Sequence, residues 1–172
     1  QNRIIAMAIP VIDQNHLKTL TLEAQASPRL RKNLNLHPHL EAPVQRLFNA
    51  MEPGTYIRPH RHARDNGWEL MLATHGAFSI VLFTEEGIVT DRVTLSPSTG
   101  TLAFEIPPRT WHAVVSHEPG TMMFEVKEGP YRPVDPQDFA PWAPSEGDLA
   151  VAAFMAWLLK AKPGDQVPTP PY

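Results

Sequence analysis

The chain has 172 residues, no cysteine, and 15 basic against 18 acidic side chains, for a formal net charge of −3. This near-neutral balance leaves no basic footprint for nucleic acid or an anionic membrane surface, and the lack of cysteine removes disulfides, thiolate ligands and a cysteine nucleophile. No apolar run reaches the roughly 18 residues of a membrane span, so the expectation is a soluble, cytoplasmic protein that engages neither nucleic acid nor membrane.

The opening QNRIIAMAIPVI is apolar but short, and Met7 is a candidate natural start. Asp13 stands where an N-cap is needed, and the spacing predicts a helix over 14–26 with Leu17, Leu20 and Leu22 as its apolar positions, ended by Ser27-Pro28. RLRKNLNLHPH reads as basic and irregular. Eight β-like runs follow: VQRLFNAM, TYIRPHRH, WELMLAT, FSIVLF, IVTDRVTL, TLAFEI, WHAVVS and TMMFEVK. Turn signals such as Glu52-Pro53-Gly54, Asn66-Gly67, His75-Gly76 and Glu118-Pro119-Gly120 separate them. Short strands at this spacing predict a sandwich or small barrel. Beyond Gly129 a proline-rich loop leads to an amphipathic or buried helix over 148–160, with Leu149, Ala152, Ala153, Ala156 and Leu159 as its apolar positions, and then to an extended, loosely held tail, KPGDQVPTPPY. Trp142 and Trp157 are expected to dock this C-terminal segment, and Trp68 and Trp111 to serve as packing anchors.

One stretch carries metal chemistry. Gly54 is followed after five residues by His60-Arg61-His62, after six more by Glu69, and after a further six by Gly76. Residues two apart on a strand share a face, with Cα atoms roughly 7 Å apart, so two imidazoles can lean onto one ion. Glu69 opens the next run and can return beside them; His112, in EIPPRTWH, is the candidate fourth ligand. Three imidazoles and a carboxylate form a borderline donor set. It suits one divalent transition metal (Fe, Mn, Ni, Co, Cu or Zn) and suits Ca or Mg poorly. Octahedral coordination would leave two positions open to water or substrate. His37-Pro38-His39 repeats the histidine spacing without a partner carboxylate and reads as a turn. Arg58 is expected on the face of His60 and His62, pointing into the barrel. Arg46, Glu125, Lys127 and Tyr131 are candidate substrate contacts at its mouth. His16, His75 and His117 belong to no constellation.

Residues 54–76 resemble the first motif of the cupin superfamily, and residues 100–116 the second. The gap between His62 and Glu69 is longer than the motif's, Arg109 stands where the motif has glycine, and Ser116 stands where it often has asparagine. The segments 27–38, 43–62, 105–112, 124–133 and 138–144 further resemble the WbuC-type cupin-fold metalloproteins, which are associated with lipopolysaccharide O-antigen gene clusters. The resemblance implies an all-β, double-stranded β-helix (the cupin jelly-roll barrel) with short N-terminal and C-terminal helices, in one domain over 1–172. Its parts would be a helix at about 14–26, a core barrel at about 43–129, a loop and helix at about 130–161, and a tail at 162–172. The gene-cluster setting, taken with the three-imidazole, one-carboxylate site, makes an enzyme acting on a sugar or sugar nucleotide in O-antigen biosynthesis, of isomerase or epimerase type, the first hypothesis. An Fe(II)-dependent dioxygenase and a non-catalytic binding module remain alternatives. The expected partners are a small anionic or sugar-derived molecule and a second copy of the chain.

Overall fold

The computed structural model describes residues 3–4 and 11–169. The candidate start at Met7 and the last residues of the tail lie outside them. Nine strands are seen among the described residues: β1 (Arg3–Ile4), β2 (Arg31–Asn35), β3 (Val44–Met51), β4 (Glu69–His75), β5 (Phe78–Phe83), β6 (Val89–Leu95), β7 (Ala103–Ile106), β8 (Trp111–Ser116) and β9 (Met122–Glu128). Two helices, α1 (Gln14–Ala26) and α2 (Val151–Leu158), flank them. The strands form a six-stranded sheet, β1-β2-β3-β9-β4-β7, and a three-stranded sheet, β6-β5-β8. Every pairing is antiparallel except that of β1 with β2.

The chain leaves one sheet for the other between β4 and β5, β6 and β7, β7 and β8, and β8 and β9. This alternation closes the sheets over a shared interior, the jelly roll that the cupin motifs imply. Gly76 makes the first of these passages. Its φ is 67°, and a Cβ there would lie 2.5 Å from Thr121 Oγ1, so glycine meets both a backbone and a space requirement.

Strand alternation sorts the side chains into three apolar layers. Met51, Met71, Ala73 and Met123 of the larger sheet meet Phe78, Ile80, Leu82, Leu95 and Val114 of the smaller one inside the barrel. Phe48, Ala50 and Met122 face the other way, where α1 covers them with Leu17, Leu20 and Ala24. Val81, Phe83, Trp111, Ala113 and Val115 cover the outer face of the smaller sheet and are themselves covered by Ala140, Ala143, Phe154, Met155 and Leu158. β5 and β8 are therefore buried on both faces, and all their residues are buried.

The predicted α1 is present, and Asp13 caps it by accepting from the His16 N–H at 3.0 Å; His16 Nδ1 accepts in turn from the Asp13 N–H at 3.2 Å. His16 thus has a capping role that its isolation in sequence did not show. Leu22 does not join the covered face. Four further expectations change. RKNLN is a strand rather than part of an irregular segment, because β3 supplies a full register from Arg31↔Met51 to Asn35↔Leu47. TYIRPHRH is extended but joins a ladder only at His60, since Pro59 has no N–H to give. α2 is covered through Phe154, Met155 and Leu158, whereas Leu149 is 98% exposed in the turn before the helix. The tail is held as far as Val167, which donates its N–H to Gly87 O at 3.0 Å, while Val89 donates to Asp165 O at 2.9 Å.

Phe154 is fully buried between the outer face of the smaller sheet and α2. Phe154→Ala should destabilise the fold by about 3–5 kcal/mol in a denaturant titration, whereas Leu159→Ala, on the exposed side, should change it by less than about 0.5 kcal/mol. Equal effects would contradict this packing.

Candidate metal centre

His60, His62, Glu69 and His112 converge: one ligand atom from each lies within 4.8 Å of all the others. Three structural devices bring them together. His60 exchanges backbone hydrogen bonds with His112, donating to its carbonyl at 3.1 Å and accepting from its N–H at 3.0 Å. Along the larger sheet, the register sets Lys127 of β9 beside Glu69 of β4, and Glu125 beside Met71, all on the inward face. The long gap after His62 folds into a turn in which Arg64 and Arg109 both donate N–H groups to His62 O, at 2.9 and 3.0 Å. Gly67 lies so close that a Cβ would stand 2.5 Å from that oxygen. The extra residues are thus absorbed, and Glu69 keeps its place. Arg109, at the motif's glycine position, retains a left-handed backbone with φ 60° and donates a side-chain hydrogen bond to Asp65 at 2.6 Å.

The ring orientations suit metal binding. Nδ1 of His60 lies 2.9 Å from Arg58 O, and Nδ1 of His112 lies 2.9 Å from Thr110 O. Each Nδ1–H donates to a carbonyl two residues back, which leaves Nε2 with a free lone pair. His112 Nε2 and Glu69 Oε1 are buried and hydrogen-bond to no protein group. Glu69 Oε1 instead lies in contact with His62 Nε2 and 3.8 Å from His112 Nε2. A buried acceptor facing another buried acceptor is costly, and a cation between them would satisfy both. The residues present therefore fit a divalent metal.

Electrostatics support the same arrangement. Burial, then His112, hold the His60 imidazole down to about 3, and burial likewise lowers His112. Both rings are thus neutral in the form that ligates. Burial pushes Glu69 up, but contacts with His62, Glu125, His112 and Lys127 outweigh it and hold the carboxyl well below the usual range. Burial pushes Glu125 up to about 8, against the pull of Lys127 and with the help of Glu69.

The four candidate ligands open onto a cavity of about 160 Å³ lined also by Asn49, Ile57, Met71, Val114, Met123, Glu125, Lys127, Tyr131, Arg132 and Val134. Glu125, Lys127 and Tyr131 stand where the sequence suggested. Arg58 and Arg46 do not. The inward phase slips at Pro59, so that Ile57 and His60 face the cavity while Arg58 turns to the C-terminal loop. There its guanidinium donates to Ala140 O and Ser145 Oγ, both at 3.2 Å, and lies over Phe139. Arg46 is on the opposite face of β3 and donates to Val44 O at 3.0 Å. His37 is buried beside the Arg46 backbone, and His39 lies exposed near Glu41, so the second histidine pair is no ligand pair. Sequence reasoning missed Asn49 and Arg132. For Asn49 the signal was present: a polar residue in the inward phase of an apolar strand.

Arg61, between the two histidines, points away from the cavity and fastens the loop that carries them. It donates to Asp138 Oδ1 at 3.0 Å and Glu85 Oε2 at 3.2 Å and stacks 4.4 Å above the Trp111 ring; Trp111 Nε1 also donates to Glu85 Oε2. Its own N–H donates to Asp138 O, and Ala140 N–H donates to Pro59 O. The C-terminal loop thus lies along residues 59–61 as a strap.

Comparisons with known proteins find the following likenesses. A family model described as a domain of unknown function (DUF6016) matches residues 12–95, which include His60, His62 and Glu69 but not His112. No curated protein matches the chain. Similar solved structures include KdgF from Halomonas sp., at 24% identity and a TM-score of 0.47 over 62% of this chain and 84% of that one. A cupin superfamily protein from Desulfitobacterium hafniense shares 16% identity, with a TM-score of 0.43 over 56% of this chain and 76% of its own. Procruciferin, an 11S globulin from Brassica napus, shares 14% identity, with a TM-score of 0.50 over 63% of this chain; the match spans only 28% of that longer chain. These likenesses concern the fold.

Two predictions follow from the site. For the metal-free chain, the unfolded state takes up a proton that buried His60 refuses between its ordinary pH of about 6.5 and about 3. The stability should therefore fall as pH drops through that window. His60→Gln should flatten the fall when unfolding is followed in chelator at several pH values. Arg61→Ala should cost about 1–3 kcal/mol of stability. Arg61→Lys should restore little of it, because lysine lacks the planar fork and the stacking surface. Full recovery by lysine would contradict the clamp.

Proposed function

We propose that this chain is a metal-dependent enzyme of the cupin type, acting on a small sugar-derived molecule at a centre formed by His60, His62, Glu69 and His112. The observation that carries the reading is a buried His112 Nε2 without a hydrogen-bond partner, facing a buried Glu69 Oε1 that also meets His62 Nε2, inside a four-residue cluster that opens onto a cavity. A purely structural cluster would pair these atoms within the protein. A binding pocket leaves them for what it binds.

A divalent ion held there would act as a Lewis acid toward a substrate oxygen. The chain's own groups divide the remaining work. His60 and His112 are locked in one tautomer by carbonyls, and Arg61 and the strap hold the loop that carries His60 and His62. Glu125 presents a carboxyl that can hold or move a proton, and Lys127 Nζ is its ion-pair partner, 3.5 Å from Oε1. An inward carboxyl and ammonium beside the ligand cluster support proton-transfer chemistry of the isomerase or epimerase type. The resemblance to the WbuC-type proteins supports a sugar-derived substrate from lipopolysaccharide O-antigen biosynthesis, and with it a cytoplasmic setting. β7 ends the larger sheet, and an edge of this kind supports pairing of two copies.

The test joins metal content to stability. Alanine at His60, His62 or His112 should each lower both, and Glu69→Gln, which removes the cluster's anionic ligand, should lower the metal content as well. Chelator should lower the wild-type melting temperature, since an ion bound only by the folded state stabilises it, and should leave the alanine variants unchanged. If these histidines only pack the barrel, chelator would shift nothing.

A further inference from the structure

The metal reading leaves part of the cavity wall unexplained. Asn49 lies on β3 with its side chain in the inward phase, directly across the ladder from Met123. It is only 8% exposed, it lines the cavity, and its Oδ1 has no hydrogen-bond partner. A buried amide oxygen without a partner is a standing cost. Nothing in the barrel requires an asparagine there, where neighbouring inward positions carry Met51, Met71 and Met123. Lys127, two rungs along the same face, presents its ammonium to the same cavity, and Arg132 stands exposed at its rim.

Charge narrows what can enter. With a divalent ion in place, the ion and Lys127 outweigh Glu69 and Glu125 even when both carboxyls are ionised, and Arg132 adds to the excess at the mouth. A cavity of that sign concentrates anions. Size narrows it further. About 160 Å³ corresponds to roughly five water molecules, too little for a nucleotide and enough for the polar end of a short organic acid. The described lining residues belong to strands and loops, with no helix start to cradle a phosphoryl group. Among the described lining residues, Lys127 is the half-buried cation, set 3.5 Å from Glu125 Oε1, and one ammonium suits one carboxylate.

Resting on the metal reading above, we infer that Asn49 and Lys127 form a subsite for a small hydroxylated carboxylic acid, with Lys127 facing the carboxylate and Asn49 taking a hydroxyl hydrogen bond. Arg132 guides the acid in at the rim.

The experiment uses the metal-loaded full chain and calorimetric titration with glycolate, D-glycerate and D-gluconate. Their neutral counterparts, ethylene glycol, glycerol and D-sorbitol, are measured beside them, with D-glucose 6-phosphate as the phosphate arm. At least one acid should bind, and its neutral counterpart should bind at least about tenfold more weakly. Lys127→Met should weaken that acid about tenfold or more with metal content unchanged, and Lys127→Arg should recover part of the loss. Asn49→Leu should reduce the preference for the hydroxylated acid over its deoxy analogue (acetate, propionate or hexanoate). Stronger binding of glucose 6-phosphate than of every acid would overturn the assignment of a carboxylate. Equal binding of acids and polyols, unchanged binding by Lys127→Met, or no acid binding by metal-loaded protein would overturn the subsite while leaving the metal centre standing. Failure of the wild-type chain to hold metal would overturn both.

Discussion

Three imidazoles and a carboxylate are pressed together with their ligand atoms within 4.8 Å of one another, in surroundings that bury Glu69 and His112 almost completely. Lone pairs facing one another at that density repel unless a cation lies among them. The neighbouring structure is organised around this crowding. Carbonyls fix the His60 and His112 rings in one tautomer, and the His60–His112 backbone pair ties the histidine loop to β8. The ladder register fixes Glu69 opposite Lys127. Each of these contacts holds a ligand atom in a direction that an apolar core would not need.

The scaffold supplies rigidity on two sides. Inside, the apolar half of the barrel interior fills with methionine, phenylalanine and aliphatic side chains and leaves its other end polar. Outside, the C-terminal segment turns what would be the exposed face of the smaller sheet into a second core. Its loop then runs beside residues 59–61. α2 therefore contributes to the site without lining it, whereas the C-terminal loop both lines the cavity, through Tyr131, Arg132 and Val134, and holds residues 59–61. Arg61 is the clearest link, since one side chain joins Asp138, Glu85 and the Trp111 ring while its neighbours face the cavity.

Much of this was legible in the sequence, for physical reasons that differ by element. α1 was readable because a capping residue, a helical spacing and a Ser-Pro stop agreed with one another. β5 and β8 announce themselves as short apolar runs, the mark of strands buried on both faces. The four cluster residues were readable because period-two alternation and a return turn leave few other ways to place them. β2 was hidden because polar residues stand in both of its phases, and only pairing with β3 makes it a strand. The face of α2 was misread because the helix begins after Leu149, and because it is apolar on most sides its spacing does not choose a face. Arg58 was misplaced because alternation was carried through Pro59, where the chain has no ladder to enforce it. Asn49 was marked by a polar side chain in the inward phase of an apolar strand, but its missing partner shows only in the fold, and Arg132 comes from a loop that returns from far along the chain.

The central claim is that the cluster holds a metal. Its most direct test is the elemental content of the wild-type chain, purified by a route that exposes it to neither chelator nor nickel resin. The account predicts about one divalent transition metal ion per chain, retained through dialysis near neutral pH and released on acidification as the histidines take up protons. Metal at no more than trace level in folded protein, even after incubation with Fe(II), Mn(II), Ni(II), Co(II), Cu(II) or Zn(II), would contradict it.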